Sequence, residues 1–287
     1  MGQPNAWIRG FYEGLSQTGY VEGRNVTIEY RWADGQEDRL PAFAADLVRR
    51  QVRAIVVPGT VGTLATKAET TTVPIVFLVG GDPVRLGLVA SLNRPGGNLT
   101  GMFNLNLNLA ATRLQMLHEL VPSALLIGLL VDPTNPTAEG IVRNVQEAAS
   151  TLGLQVHILY ASSEREFDSV FTTIAQVRAG ALMIGTEGFL FRQYKQLAAL
   201  TVRHRVPTMF QFREYVAAGG LMTYGANTTS NFRQLGVYTG RILKGEKPAD
   251  VPVEQSSKLE LVINFKTAEM LGLKVPPILR DHAEVIE

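Results

Sequence analysis

The sequence predicts an α/β fold made of two lobes, each built on a parallel sheet. Short runs rich in Val, Ile and Leu alternate along the chain with segments of helical periodicity. Strands that are separated by helices in this way pair in parallel, with helices on both faces of the sheet. The pattern restarts near residues 107–124, which indicates a second unit of the same kind. A chain of 287 residues is long enough for two such units.

The first half of the chain opens with a predicted helix, because Trp7, Phe11 and Leu15 fall on one face at helical spacing. Strands are predicted where apolar runs end in glycine or polar turn residues. The predicted helices are 5–18, 39–50, 61–71, 86–92 and 109–120, and the predicted strands are 26–31, 54–57, 75–79 and 99–103.

The second half repeats this alternation. Its predicted strands are 124–132, 154–161, 180–186, 207–210 and 220–225, and its predicted helices are 137–152, 164–178, 190–205, 212–218 and 229–243. The tail LELVINFKTAEMLGL (259–273) predicts a strand that runs into a helix.

The start of the chain departs from the expected order of elements. A doubly wound lobe usually opens with a strand, whereas this sequence opens with a helix. The residues MGQPNAWIRGFYEGL also lack the basic and apolar layout of a signal peptide. We therefore expect the first strand to be missing from this chain and to lie upstream of Met1.

Composition excludes several classes of function. The 27 basic and 26 acidic residues nearly cancel, without the basic stripe of a nucleic-acid-binding protein. The chain has no cysteine, which excludes disulfides, zinc–thiolate sites and thiol nucleophiles. No apolar run approaches the roughly 20 residues of a membrane span.

Catalytic and metal-binding motifs are absent from the sequence. The four histidines, at positions 118, 157, 204 and 282, share no metal-ligand spacing. There is no G-x-S-x-G, no H-E-x-x-H and no P-loop lysine. We expect no catalytic residue, no metal site and no cofactor.

Small and polar residues follow several predicted strands, at the edge of the sheet where α/β proteins bind their ligands. Gly59, Thr60 and Thr63 follow the strand at 54–57 and present backbone N–H and hydroxyl groups to an anion, or form a tight turn with a threonine N-cap. Gly81 and Asp82 follow the strand at 75–79. Asp82 either accepts a hydrogen bond from a ligand or caps the next helix, and these two roles are compatible.

The second half has a matching set of candidates. Asn135 and Thr137 are helix caps or ligand contacts after the strand at 124–132, and Thr186 and Glu187 follow the strand at 180–186. Aromatic residues just past strand ends are either core residues or walls of a ligand site. The remaining candidates are Phe189, Gln211, Phe212, Tyr215 and Tyr224.

Four long stretches of the chain resemble one protein family. They are GLSQTGYVEGRNVTIEYRWADGQEDRLPAFAADLVRRQVRAIVV, TTTVPIVFLVGGDPVRLGLVASLNRPGGNLTG, VPTMFQFREYVAAGGLMTYG and VYTGRILKGEKPADVPVEQSSKLELVINFKTAEMLGLKVPP. The family is that of ABC-transporter substrate-binding proteins, in the subfamily that includes tryptophan- and phenylalanine-binding members. The resemblance covers nearly the whole chain from about Phe11.

The resemblance implies a type I periplasmic-binding-protein fold, with two Rossmann-like lobes joined by three crossovers. The first lobe would hold residues 1–104 and 227–250, and the second would hold 105–226 and 251–287. The crossovers would lie near 103–104, 224–226 and 251–255. Members of this family usually begin with a signal peptide, so the resemblance implies a periplasmic protein whose full-length form carries one.

The resemblance also implies a function without chemistry, in which the lobes close by hinge motion on a small solute for import through an ABC permease. The solute would be an amino acid or related small carboxylate, with an aromatic side chain as one option. Its carboxylate would meet Gly59–Thr60 or Asn135–Thr137, and its ammonium group would meet Asp82 or Glu187. Phe189, Phe212, Tyr215 or Tyr224 would flank its side chain. The partners would be the solute and a membrane permease, with no nucleic acid, and the protein would be a monomer.

Two other functions are compatible with the sequence. The ligand-sensing core of a transcription regulator shares the two-lobed architecture, but it would need a helix-turn-helix segment upstream of residue 5. An α/β enzyme of unrecognised type is also possible on the fold, although no motif in the sequence requires one.

Overall fold

The computed structural model describes residues 6–104, 109–135 and 137–286. The chain divides into unit 1, Met1–Leu105 with Asn227–Lys258, and unit 2, Asn106–Ala226 with Leu259–Glu287.

Unit 1 is built on a four-stranded parallel sheet. Its helices are α1 (Ala6–Gln17), α2 (Leu40–Arg49), α3 (Thr60–Glu69) and α10 (Thr228–Leu243), and its strands are β1 (Ile55–Pro58), β2 (Ile75–Val79), β3 (Leu99–Phe103) and β9 (Glu254–Gln255). The strand order is β1-β2-β3-β9.

The core of unit 1 lies on both faces of this sheet. Side chains alternate along a strand, so Val76 and Leu78 of β2 pack on one face and Ile75, Phe77 and Val79 pack on the other. Both sets are apolar because helices or loops cover both faces. On the first face, α1 and α10 pack against the sheet and against each other.

Close contact between α1 and α10 depends on glycine. A Cβ atom at Gly14 of α1 would overlap the carbonyl oxygen of Arg233, and a Cβ atom at Gly236 of α10 would overlap that of Phe11. The two helix backbones therefore approach more closely than any side chain would allow. An exposed ion pair between Arg233 and Glu13, at 2.8 Å, borders this contact.

Unit 2 is built on a seven-stranded sheet. Its helices are α4 (Ala110–Leu120), α5 (Ala138–Leu152), α6 (Phe167–Val177), α7 (Gly188–Arg192), α8 (Tyr194–Arg203), α9 (Arg213–Ala217), α11 (Phe265–Met270) and α12 (Pro277–Arg280). Its strands are β4 (Leu126–Val131), β5 (Gln155–Tyr160), β6 (Ala181–Ile184), β7 (Thr208–Phe210), β8 (Met222–Ala226), β10 (Leu259–Asn264) and β11 (Ala283–Ile286).

The strand order of unit 2 is β11-β10-β8-β7-β6-β4-β5. The pairs are parallel except that β10 runs antiparallel to β8, so this sheet is mixed rather than parallel throughout as predicted. Strand β4 packs Ile127, Leu129 and Val131 against one apolar cluster and Leu130 against the other. The two faces of the sheet are therefore both buried.

Two predicted elements of unit 1 do not form. Val26 makes an isolated bridge with Glu22, but residues 27–31 pair with no described strand, although Ile28 still packs against the core. A strand requires a hydrogen-bonding neighbour, which alternation in the sequence does not supply. Residues 86–92 form turns instead of a helix, because Gly87 adopts φ 66° in the left-handed region.

Two further boundaries differ from the prediction, and two strands are additional to it. The predicted helix at 190–205 is divided into α7 and α8 at Gln193. Residues 251–258, which were assigned to the second lobe, lie in unit 1 because β9 pairs with β3. Strands β9 and β11 were not predicted at all.

Candidate functional site

The carboxyl end of β1 leads into α3 through Gly59, which adopts φ 108° and is the N-cap residue of the helix. The N–H group of Gly59 donates to the carbonyl oxygen of Leu78 at 2.8 Å, which fixes the loop beside β2. Thr60 is the first helical residue rather than the cap, and the first N–H groups of any helix lack intrahelical acceptors. The loop can therefore present N–H donors to an anion.

Thr63 does not contribute to such a site with its hydroxyl group. Its side chain is completely buried, and Oγ1 donates to the carbonyl oxygen of Gly59 at 2.7 Å. The hydroxyl group holds the first turn of α3 and is oriented into the protein.

The carboxyl end of β2 continues into Gly80, Gly81 and Asp82. One carboxylate oxygen of Asp82, Oδ1, accepts hydrogen bonds from the N–H groups of Val84 at 2.8 Å and Arg85 at 3.3 Å. These bonds stabilise the turn after β2. Asp82 therefore accepts backbone N–H groups as predicted for a cap, but the segment that it caps is a turn and not a helix.

A polar cluster that the sequence analysis missed lies at the ends of β3 and β9. Asn104 follows β3, and its Oδ1 is buried without a hydrogen-bond partner among the described residues. Ser256 follows β9 and donates its hydroxyl proton to Oδ1 of the buried Asn231 at 2.7 Å. The Nδ2 atom of Asn231 is also buried without a partner in the described part of the chain.

In unit 2, the carboxyl end of β4 leads into a turn in which the polar side chains form hydrogen bonds with nearby residues of the same turn. Asp132 Oδ1 accepts from the N–H and hydroxyl groups of Thr134, and Asn135 Oδ1 accepts from those of Thr137. Thr137 is the N-cap residue of α5, but its side chain makes no capping hydrogen bond. The side chains of Asn135 and Thr137 therefore act as partners for each other.

The carboxylate of Glu187, at the end of β6, is the most distinctive group at this edge. The side chain is only 2% exposed and folds back over Gly185, where a Cβ atom would overlap its Oε2. Oε1 accepts from the N–H group of Asp132 at 3.2 Å, whereas Oε2 has no partner among the residues described. Burial raises the pKa of Glu187 to about 7.

Gln211 lies beside this carboxylate in the strand order. It follows β7, the neighbour of β6, and is 2% exposed. Neither Oε1 nor Nε2 of Gln211 has a hydrogen-bond partner within the described residues, and the same holds for Oγ1 of Thr223. Thr223 lies opposite Phe210 in the β7–β8 register, so it is next to Gln211.

Arg113 of α4 is a second buried charge in this region. Its Nε donates to the carbonyl oxygen of Tyr224 at 2.6 Å, and burial lowers the pKa of the guanidinium to about 10. A cavity of about 20 Å³, enough for one water molecule, is lined by Arg113, Gly185 and Thr186 together with apolar side chains.

The four candidate aromatic residues have different environments. Tyr215 is completely buried, stacks on Phe210 at 4.3 Å and donates its hydroxyl proton to the carbonyl oxygen of Leu190 at 2.9 Å. It is a core residue, which argues against the predicted role as a ligand wall. Phe189, Phe212 and Tyr224 are half-buried and pack at the margins of the two apolar clusters.

The edge of the unit 2 sheet thus brings together several of the predicted residues. Glu187 and Gln211 follow the adjacent strands β6 and β7, Thr186 precedes Glu187, and Tyr224 lies within the next strand, β8. A buried polar atom without a hydrogen bond costs about 1–3 kcal/mol, and the several such atoms among the described residues make this edge the candidate site. Among the described ranges, no cluster of His, Asp and Glu is suited to hold a metal ion.

Comparison with known proteins gives a consistent picture. The family model for ABC transporter substrate binding protein matches residues 4–286. A tyrosine-binding protein from Clostridioides difficile is 23% identical over 266 residues, covering 93% of this chain and 76% of that protein.

Solved structures extend the similarity to the fold. A conserved domain protein from Vibrio cholerae superposes with a TM-score of 0.88 at 25% identity, over 99% of this chain and 95% of that chain. The ABC domain in complex with L-Trp from Streptococcus pneumoniae superposes with a TM-score of 0.87 at 24% identity, over 98% and 95% of the two chains. These likenesses confirm the predicted fold class, that of type I periplasmic binding proteins.

Proposed function

Because the chain belongs to the ABC transporter substrate-binding protein family, we propose that it binds an amino acid and delivers it to an ABC importer. The family binds solutes and is not a family of enzymes, and the resemblance stated from the sequence is confirmed. No helix in the described part of the chain is long and apolar enough to cross a membrane. In this proposal the protein works outside the cytoplasmic membrane and docks on its permease.

The observation that carries the proposal is the buried carboxylate of Glu187, whose Oε2 has no hydrogen-bond partner in the described part of the chain. An ionised carboxylate accepts hydrogen bonds only, and an ammonium group donates only, so the two are complementary. We assign Glu187 as the contact for the ammonium group of the ligand. Asp82 is the weaker candidate, since its Oδ1 already accepts two backbone N–H groups.

The start of α3 is the proposed contact for the ligand carboxylate. The first turn of α3, from Thr60, brings N–H donors and the positive end of the helix dipole to the carboxyl end of β1, where Gly59 holds the loop through its own bond to Leu78. The alternative at Asn135 and Thr137 is less suitable because these side chains are bonded to each other. Two relatives that bind tyrosine and L-Trp support an aromatic amino acid as the ligand.

Calorimetry with chemically matched ligands tests the proposal. We expect an aromatic L-amino acid to bind, its N-acetyl derivative to bind at least tenfold more weakly, and the ligand to be recovered unchanged. Glu187→Gln should weaken binding of the free amino acid by about 10- to 100-fold, the usual value of a charged hydrogen bond. Glu147→Gln, at an exposed position of α5, is the matched control and should bind normally.

Equal affinity for the free and N-acetylated amino acid would reject the role of Glu187. Absence of binding by any amino acid, in a protein that melts cooperatively, would reject the proposed ligand class. Uptake of the labelled ligand by cells with and without the protein tests the direction of transport.

A further inference from the structure

The sheet-facing side of α10 is apolar along most of its length and polar at its amino-terminal end. Leu235, Tyr238 and Ile242 are buried against the sheet of unit 1. One turn before Leu235, the same face carries Asn231, which is 3% exposed. A buried amide at the end of an apolar face requires hydrogen-bond partners.

Ser256 supplies only half of what Asn231 requires. The N–H group of Ser256 donates to the carbonyl oxygen of Phe103 at 2.8 Å, so its position is fixed by the sheet. Its hydroxyl group donates to Oδ1 of Asn231 at 2.7 Å, and both residues are buried. The orientation of the amide is thereby set, and Nδ2 is left as a donor without a described acceptor.

Asn104 provides the complementary atom at the same strand end. In the β3–β9 register Phe103 lies opposite Gln255, so Asn104 and Ser256 leave the sheet side by side. The N–H group of Asn104 donates to Val79 at 2.9 Å, and its Oδ1 lies 3.8 Å from where a Cβ atom on the exposed Gly80 would be. This Oδ1 is an acceptor without a described donor.

We propose that Asn104, Asn231 and Ser256 form a neutral subsite in unit 1 that recognises a hydroxyl group of the ligand. A hydroxyl group can donate to Asn104 Oδ1 and accept from Asn231 Nδ2 at once. A carboxylate only accepts and an ammonium group only donates, so either would leave one of the two amide atoms unmatched. The subsite rests on the proposed function, because the hydroxyl group is taken to belong to an amino acid.

Affinities for pairs of amino acids that differ by one hydroxyl group test this subsite. The pairs are L-tyrosine with L-phenylalanine, L-serine with L-alanine, and L-threonine with L-2-aminobutyrate, each measured by calorimetry on the full chain. In the pair that binds, we expect the hydroxylated member to bind at least tenfold more tightly. A site built to bond a hydroxyl group discriminates strongly against an analogue without it.

Two variants assign the selectivity to these residues. Asn231→Asp keeps the acceptor for Ser256 and replaces the donor, and Asn104→Ala removes the acceptor at a half-buried position. Each variant should lower the ratio of affinities, hydroxylated over non-hydroxylated amino acid, towards one. The affinity for the amino acid without the hydroxyl group should be retained. The control is Asn98→Asp in the same unit. Nδ2 of Asn98 donates to the carbonyl oxygens of Thr70 and Val73, so this variant loses an amide donor elsewhere and should leave the affinity ratio unchanged.

The outcomes separate the two proposals. Binding with equal affinity for both members of every pair would overturn the subsite and leave the proposed function intact. An equal loss of affinity for both members in the Asn231 and Asn104 variants would also overturn it, because the amides would then contact the part common to both ligands. Binding of tryptophan but of none of these six would overturn the subsite alone, and failure of every amino acid to bind would overturn the proposed function and the subsite together.

Discussion

The backbone N–H group of Asp132 donates to Oε1 of Glu187 at 3.2 Å, which joins the ends of β4 and β6. The bond stabilises one carboxylate oxygen of a side chain that is 2% exposed and leaves the other without a described partner. The backbone hydrogen bonds to this carboxylate do not offset the cost of burying a negative charge, since its pKa is still raised. The protonation state of Glu187 therefore influences stability and, in the proposed function, ligand binding.

Glu187→Gln is expected to stabilise the ligand-free protein at alkaline pH. Burial raises the pKa of Glu187 from 4.5 to about 7, so between these values the folded chain holds a proton that the unfolded chain has lost. The free energy of unfolding then falls as pH rises from 4.5 to 7, by up to about 3 kcal/mol. Urea unfolding at pH 5 and pH 8 should show a gain for the variant only at pH 8. A similar gain in Glu147→Gln, which is exposed, would contradict this explanation.

Ligand affinity is expected to fall as pH decreases below 7. In the proposed function the ligand ammonium group binds the ionised form of Glu187, and below a pKa of about 7 that form requires loss of a proton. The dissociation constant should increase by up to about tenfold for each pH unit below 7. Calorimetry at pH 6 in two buffers of different ionisation enthalpy would detect the released proton. A pH-independent affinity between pH 5.5 and 8 would exclude Glu187 as the ammonium contact.

Asp82 can be tested for a purely structural role. Its Oδ1 accepts from the N–H groups of Val84 and Arg85, a function that asparagine can also perform. We expect Asp82→Asn to leave stability and amino-acid affinity nearly unchanged, and Asp82→Ala to lower stability by about 1 kcal/mol. Chemical denaturation and calorimetry on both variants measure these effects. A tenfold loss of affinity in Asp82→Asn would instead show that its charge contacts the ligand.

Gly14→Ala is expected to destabilise unit 1. A Cβ atom there would overlap the carbonyl oxygen of Arg233, and backbone cannot move aside as a flexible side chain can. We expect a loss of about 3 kcal/mol in the free energy of unfolding. Gly140→Ala is the control, because a Cβ atom at this position of α5 meets nothing within 4 Å. There the higher helix propensity of alanine should stabilise by about 0.5–1 kcal/mol.

Tyr215→Phe is expected to affect stability and not ligand binding. The substitution removes the hydrogen bond to Leu190 in a completely buried position, which should cost about 1–2 kcal/mol. Tyr160→Phe, at a side chain that is 56% exposed, should change stability by less than about 0.5 kcal/mol. A tenfold change of amino-acid affinity in Tyr215→Phe would restore this residue to the ligand site.

The sequence predicted the sheets well where strands are buried on both faces. Ile75–Val79 is continuously apolar, and its two sets of alternating side chains enter two different core clusters. Strand β9 has two exposed polar residues, and β11 has four residues that are not buried, so neither leaves an apolar pattern. At 26–31 a strand was predicted that does not form. The apolar and polar residues alternate there, but residues 27–31 pair with no strand among the described residues.

The candidate site was predictable only where polar residues directly follow strands. Glu187 and Gln211 were identified on this basis, and Asn104 follows β3 and satisfies the same rule. Arg113 and Asn231 lie on helices, where buried polar residues have no distinguishing spacing in the sequence. Their importance depends on contacts with Tyr224 and Ser256, residues more than 20 positions away.

The close packing of α1 against α10 has a consequence for synthesis of the chain. Glu13 and Arg233, which border this contact, are 220 positions apart. At roughly 5–20 residues per second, the apolar face of α1 emerges from the ribosome about 10–45 s before the helix that covers it. Unit 2 is likewise incomplete until β10 and β11 have been translated. Unit 1 therefore cannot reach its native structure before α10 and β9 have been made, and unit 2 must wait longer, for β10 and β11.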